Sequence, residues 1–237
     1  MSWNVQILTL FPEMFPGVLG HSIAGRALKD KIWSLELINI RKGSKNKHGK
    51  VDAKPAGGGA GMIIRADVLH NALEISKKGL KNSKSGKIPI IYLTPQGVKL
   101  TQKKLHQLSL TKGMILICGR YEGVDQRFLE KEKVEQISIG DYILPGGEAA
   151  AMVLVDGIVR LLPGVVKNRF FSKNESFVDD LLEYPQYTRP LNWKGKKIPK
   201  VLLSGNHRKI NAWRRKKSEE VTKMARPDLW KKYIKKK

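Results

Sequence analysis

ISIGDYILPGGEAA, residues 137 to 150, starts on alternating apolar residues and ends in helix formers, with an aspartate, a tyrosine, a proline and paired glycines between them. Period-two alternation marks a strand, and Glu-Ala-Ala-Ala opens an amphipathic segment that runs to Pro163-Gly164. Moving outward, apolar runs of strand length recur at NVQILTLF (4–11), SLELINI (34–40), IPIIYL (88–93), MILICG (114–119) and VEQISIG (134–140). Helix-period segments separate most of them. VLHNALEI carries Val68, Leu69, Ala72 and Leu73 on one face, and in LTQKKLHQLSL Thr101 is placed to cap the first turn. Strand alternating with helix predicts an α/β fold, a parallel sheet covered by helices.

In such a sheet, ligands bind where the chain leaves the carboxyl ends of the strands. Three exits have unusual chemistry: IIYL runs into TPQG, MILIC into GRYEG, and ISIG into DYILPGG. Glycine permits close backbone approach, and proline fixes φ and removes a donor, so these turns are stiff and expose main-chain groups. Any one alone is ordinary turn chemistry. Three together suit a flat heterocycle read by backbone N–H and C=O. The phosphate-binding signature GxxxxGK[ST] is absent, and GGGAG at 57–61 does not meet GxGxxG spacing. A nucleotide held by its phosphates is therefore disfavoured, whereas a cofactor with an adenosine end and no phosphate is compatible.

Lysine and arginine total 45 against 21 acids, a formal charge of +24, which favours a polyanionic partner. The surplus is uneven: residues 161–237 carry 21 basic and 7 acidic side chains, nearly three times the net charge per residue of the preceding 160. No apolar run approaches the roughly 20 residues of a membrane span, and MSWNVQILTLFPEMF lacks a signal peptide's charged start and cleavage site, so a cytoplasmic protein is expected. A single cysteine, Cys118, cannot form an internal disulfide, and neither CxxC nor HExxH occurs, so no metal is expected. Two stretches rich in glycine and lysine, 42–61 and 78–87, read as surface loops, and the closing KKYIKKK as a frayed end.

YLTPQG, CGRYEGVDQR, ISIGDYILPGGEAAAMVLVDGIVRLLPGV, LLEYPQYTRP and VLLSGNHRKINAWRR, with LTLFPEMF, HSIAGRA and GGGAGM nearer the start, together resemble the bacterial tRNA (guanine-N1) methyltransferases of the SPOUT superfamily. The resemblance spans nearly the whole chain, in order. It implies a trefoil-knotted, cofactor-binding α/β domain over 1–163, an interdomain linker over 164–180 and a small helical, basic, tRNA-binding domain over 181–237. It also implies S-adenosyl-L-methionine as cofactor, the anticodon stem-loop of tRNA as partner, and a homodimer with composite active sites. Carried over by motif, the cofactor contacts fall on Tyr92, Leu93, Pro95, Gly119, Glu122, Ser138, Ile139, Gly140, Asp141, Tyr142, Ile143, Leu144, Gly146 and Gly147. The catalytic pair falls on Arg160, in GIVRLLPG, and Glu175, in KNESF, with Asp179 and Asp180 as alternative bases.

The chain departs from the family pattern at three places. Glu175 and Glu183 stand where aspartate is usual, and Pro145 where a small polar residue is commoner. In NHRKINAWRRKK, Trp213 among arginines and lysines suggests a helix laid along an RNA backbone. Two other readings fit parts of the sequence: a SPOUT enzyme acting on another RNA, and a noncatalytic RNA-binding protein. The second leaves the three stiff exits without a purpose.

Overall fold

The computed structural model describes residues 2–80, 88–166 and 175–237, and divides into two compact units, 1–167 and 168–237. In the first unit, β1 (Trp3–Thr9), β2 (Trp33–Asn39), β5 (Ile90–Lys99), β6 (Gly113–Ile117) and β7 (Glu135–Ser138) form one sheet in the order β2-β1-β6-β5-β7. Every pairing in it is parallel. All five predicted strands are present. Two short strands, β3 (Asp52–Ala53) and β4 (Ile63–Ile64), pair antiparallel outside it.

Alternation along each strand divides the core between the two faces. Trp3, Val5 and Ile7 of β1, with Met114, Leu116 and Cys118 at β6, pack on one side among residues of α1 (Ser22–Lys29), α3 (Gln102–Ser109) and α5 (Glu148–Val159). Leu8, Ile115, Ile117 and Tyr92 pack on the other, with α2 (Ala66–Leu80) and α4 (Gln126–Lys131). Val68, Leu69, Ala72 and Leu73, the predicted α2 stripe, are all buried there. Thr101 caps α3 as its position suggested, its hydroxyl accepting from Lys104 N at 3.3 Å.

The second unit has a smaller core. Its α6 (His207–Ala225) starts at Asn206, whose side chain accepts from Lys209 N at 3.0 Å, and α7 (Pro227–Lys236) follows with proline in its first turn. Leu181, Ile210, Leu229 and Tyr233 are buried between these elements. Thr222 ties them, donating to Ser218 O at 2.7 Å and accepting from Leu182 N at 2.8 Å. A hairpin, β8 (Asn192–Trp193) and β9 (Lys196–Lys197), projects before α6.

Three expectations need correction. The closing basic run is helical to Lys236, because Tyr233 is buried and its hydroxyl bonds Glu219 and Arg215. TPQG is not a strand exit: β5 continues to Lys99, and Leu93 and Val98 both oppose Ile137, so Thr94–Gly97 bulge out of the strand. Of the loop expected at 78–87, residues 78–80 are instead the last turn of α2 and 81–87 lie outside the described residues, as do 167–174 of the expected linker.

Candidate active site

The β5 bulge and the ends of β6 and β7 meet at one edge of the sheet. After β6, Cys118 N donates to Leu8 O at 2.9 Å, and the chain folds into a tight turn in which Gly123 N donates to Arg120 O at 3.1 Å. Glu122 N reaches Met62 O at 3.0 Å, which brings the GGGAGM loop alongside. After β7, Ser138 Oγ accepts from Gly140 N at 3.2 Å and holds the first bend of DYILPGG. Gly147 N then donates to Gly119 O at 2.9 Å, stitching the end of that loop to the β6 turn.

Together they enclose a cleft of about 300 Å³. Strand β5 contributes Tyr92 and Leu93 and its bulge Pro95, the β6 turn Gly119 and Glu122, and the long loop Ser138, Ile139, Gly140, Tyr142, Ile143, Leu144, Gly146 and Gly147. Asp141 is the exception among the sequence-predicted positions. It is absent from the lining, its side chain is 90% exposed, and its carboxylate lies 3.6 Å from Lys99 Nζ.

Glycine is required at two of these positions for definable reasons. At Gly140, φ is +152° and a Cβ would lie 2.5 Å from the Tyr142 ring. At Gly147 a Cβ would meet the Cys118 backbone at 2.8 Å, where no flexible side chain can give way. Burial raises the Tyr92 phenol above its usual value, so the hydroxyl remains protonated at neutral pH.

Arg120 was quoted within a motif but assigned no role by sequence reasoning. It lines the cleft wall and supplies that lining's one cation, which is committed elsewhere. Its Nη2 is 2.9 Å from Glu148 Oε2, its guanidinium stacks 4.4 Å from the Phe11 ring centroid, and Nη1 donates to Pro145 O at 3.3 Å. Glu148 is 1% exposed and its other oxygen accepts from Thr9 Oγ1 at 2.7 Å. Oε2 lies close to the guanidinium without hydrogen-bond alignment, so charge attraction holds that contact. The Arg120–Glu148 pair thus joins the ends of β1 and β6, the long loop and α5. An acid opening a helix after a glycine pair was the available signal, but its partner could not be named from it.

Arg160 is the C-cap of α5, its N–H donating to Asp156 O at 3.1 Å, and it lines a separate depression with Val18, His21, Ile23, Met152 and Asp156. Glu175 belongs to the second unit, where its carbonyl accepts from Val178 N at 3.2 Å. Phe177, Asp179 and Asp180 all have φ between 52° and 76°, a concentration of left-handed non-glycine residues beside it. Asp179 lies 3.6 Å from Arg215 Nη1 and Asp180 pairs with Lys236. Glu183 accepts from Gln186 Nε2 at 2.6 Å.

Outside the cleft, His70, Glu74 and Glu132 bring possible metal-ligating atoms within 4.8 Å of one another. Lys77 Nζ already stands 2.9 Å from Glu74 and 3.0 Å from Glu132, so an ammonium supplies the positive charge there.

A family profile described as tRNA (Guanine-1)-methyltransferase TrmD matches residues 3–232. Among curated proteins, one from Zymomonas mobilis is 52% identical over 231 residues, covering 98% of this chain and 91% of its own. One from Rhodospirillum rubrum is 52% identical over 234 residues, 99% of this chain and 95% of its own. One from Pelagibacter ubique is 49% identical over 233 residues, 98% and 99%. Each is named tRNA (guanine-N(1)-)-methyltransferase.

Proposed function

The chain belongs to the tRNA (guanine-1)-methyltransferase TrmD family, and from that premise we propose that it methylates the guanosine 3′ of the tRNA anticodon at N1, with S-adenosyl-L-methionine as donor. The observation that carries this reading is the cleft: three stiff segments at one sheet edge, rich in main-chain donors and acceptors, with their one cation neutralised by Glu148. A phosphate would find no available positive charge among those lining residues. An adenosine with no phosphate finds backbone groups, apolar walls at Ile137, Ile139 and Leu144, and the Glu122 carboxylate for an amino group. The fit supports thirteen of the fourteen cofactor positions, Asp141 lying outside the lining. The fold reading is the knotted α/β domain of this superfamily, followed in sequence by a small helical RNA-binding domain, and the all-parallel sheet with its loops gathered at one edge supports the first of these.

Bound there, the cofactor supplies an electrophilic methyl carbon on a sulfonium. The protein's share is alignment and proton transfer. Guanine N1 carries a proton at neutral pH, and Glu175 would take it as N1 bonds the methyl carbon and the carbon–sulfur bond breaks, its electron pair leaving with the neutral thioether. Charge released from N1 accumulates on O6, where the Arg160 guanidinium donates hydrogen bonds to it. Asp179 and Asp180, paired with Arg215 and Lys236, are the alternative bases. The homodimer, whose sites would draw the cleft from one subunit and the base from the other, rests on the family membership.

The test is methyl transfer to an anticodon stem-loop transcript carrying guanosine or adenosine at the target position. Transfer to guanosine alone, with a thermal shift on S-adenosylhomocysteine and none on ATP, is the expected result; equal transfer to both refutes the substrate assignment. Glu175→Gln should retain cofactor binding and lose about 10²–10⁴-fold in turnover, the range of a general base. Near-wild-type turnover would remove Glu175 from the mechanism. Mixed dimers of Gly140 and Glu175 variants should regain activity that neither parent has.

A further inference from the structure

The hairpin of the second unit has no core of its own. Every residue from Leu191 to Lys197 is exposed, and Trp193 is 61% exposed at its centre. The turn is nonetheless well specified: Lys194 (φ 49°) and Gly195 (φ 80°) are both left-handed, the requirement of a two-residue type I′ hairpin. Ile198 N donates to Leu191 O at 3.2 Å and closes the base. A two-stranded hairpin is marginal by itself, and this one holds its indole in water.

The surroundings say what kind of partner. From Tyr184 to Ser218 the sequence holds eleven lysines and arginines and no acid. Lys194 Nζ lies 5.4 Å from the Trp193 ring centroid, with Lys196 and Lys197 on the returning strand. Several other aromatic and cationic groups of the unit are paired with one another. Trp213, singled out in the sequence, packs edge-on to Tyr187 with centroids 6.1 Å apart, Arg214 stacks on Tyr184, and Arg215 on Tyr233. Trp193 thus combines an open π-face with adjacent cations and no anion, the pairing that takes an unpaired base by stacking while lysines contact its flanking phosphates.

We propose that the Trp193 hairpin is a stacking platform for an unpaired base of the RNA substrate, with Lys194, Lys196 and Lys197 on the neighbouring backbone. The site rests on the tRNA reading for its ligand class and is separate from the residues assigned to methyl transfer. It discriminates looped from fully paired RNA, because a base inside a duplex offers no free face.

The experiment measures, by fluorescence anisotropy, the affinity of the full chain for a labelled anticodon stem-loop and for a fully paired duplex of equal charge. Trp193→Ala should weaken loop binding about five- to a hundred-fold, the range for one lost base–aromatic stack, and lower kcat/KM at limiting RNA by the same factor. Duplex affinity should stay within about two-fold, and Trp193→Phe should restore most of the loss, since a phenyl face also stacks. Wild-type protein should lose acrylamide-quenchable tryptophan emission on adding the loop RNA, a change missing in Trp193→Phe. Unchanged loop affinity in Trp193→Ala, or equal loss for loop and duplex, overturns the proposal. So does shielding of Trp193 without RNA as protein concentration rises, which would assign the face to a second copy. Guanosine methylation by wild type, followed in parallel, keeps the two readings apart. Failure there sinks the enzyme assignment whatever Trp193 does, and success with an unaffected Trp193→Ala sinks only the platform.

Discussion

Replacing Arg120 with methionine tests whether the cleft is held by a buried ion pair. The change keeps much of the apolar stem but removes the guanidinium from Glu148, which is 1% exposed and would be left with the Thr9 hydroxyl at 2.7 Å. Stranding a buried charge in this way costs about 3–5 kcal/mol. The contact with Phe11, 4.4 Å from its ring centroid, adds roughly 0.5–2 kcal/mol for a partly desolvated cation. Arg120→Met should therefore destabilise the protein by about 3.5–7 kcal/mol, measured by urea unfolding followed by circular dichroism and tryptophan fluorescence with the m-value checked for constancy. Glu148→Gln leaves the guanidinium 19% exposed and still stacked on Phe11, so it should cost less, about 1–3 kcal/mol. The decisive comparison is Arg120→Met with Glu148→Leu in one chain. With neither charge present there is no stranded ion, so the double variant should be more stable than Arg120→Met alone. A double variant as unstable as the sum of the two singles would refute the claim that charge pairing ties the loops.

Three further outcomes follow from the geometry. Gly140→Ala, forcing a side chain onto φ +152° and into the Tyr142 ring, should weaken S-adenosylhomocysteine binding by about ten-fold or more in calorimetry, and wild-type affinity would show that the bend is not needed. Burial, reinforced by the Glu148 charge, pushes the Cys118 thiol well above its usual value, so a disulfide reagent at pH 8 should label it only after unfolding, and rapid native labelling would contradict its position. In the second unit, Tyr233's hydrogen bond holds Glu219 below its usual 4.5, and Arg226 holds Asp228 down at about 2. Both ionise more readily folded than unfolded, so their stabilisation is present above about pH 4.5 and is lost as pH falls toward 2. Circular dichroism should show helix loss through that window, shallower in Glu219→Gln, and equal slopes would rule the pair out.

The sheet was legible because each strand states its own burial. In MILIC, successive residues alternate between the two core clusters, and no partner is needed to see that both faces are covered. The β5 bulge was not legible for the opposite reason. Thr94–Gly97 look like any turn, and only the second opposition of Ile137, by Val98 after Leu93, shows that the strand resumes. Register belongs to two segments at once, so no single segment encodes it. The terminal helix was misread likewise: KKYIKKK is charged enough to suggest a frayed end, while the burial of Tyr233 depends on α6.

The same distinction explains the site. Contiguous segments supply the cleft walls, and their glycines and prolines announce stiff turns in each segment by itself, so the edge that binds was legible from the turns and its individual residues from the family resemblance. What fixes those walls could not, because Thr9 and Glu148 lie 139 residues apart and Arg120 looks like any surface arginine in a turn. Trp193 marks the limit from the other side. In sequence it is one aromatic among basic residues, as is Trp213, and composition alone favours the longer basic helix. Folding separates them, since Trp213 is half-buried and packs against Tyr187 while the hairpin leaves Trp193 61% exposed. An aromatic can bind a base only through a face that the fold has not used, and exposure, a property of the folded chain, is what assigns the platform to Trp193.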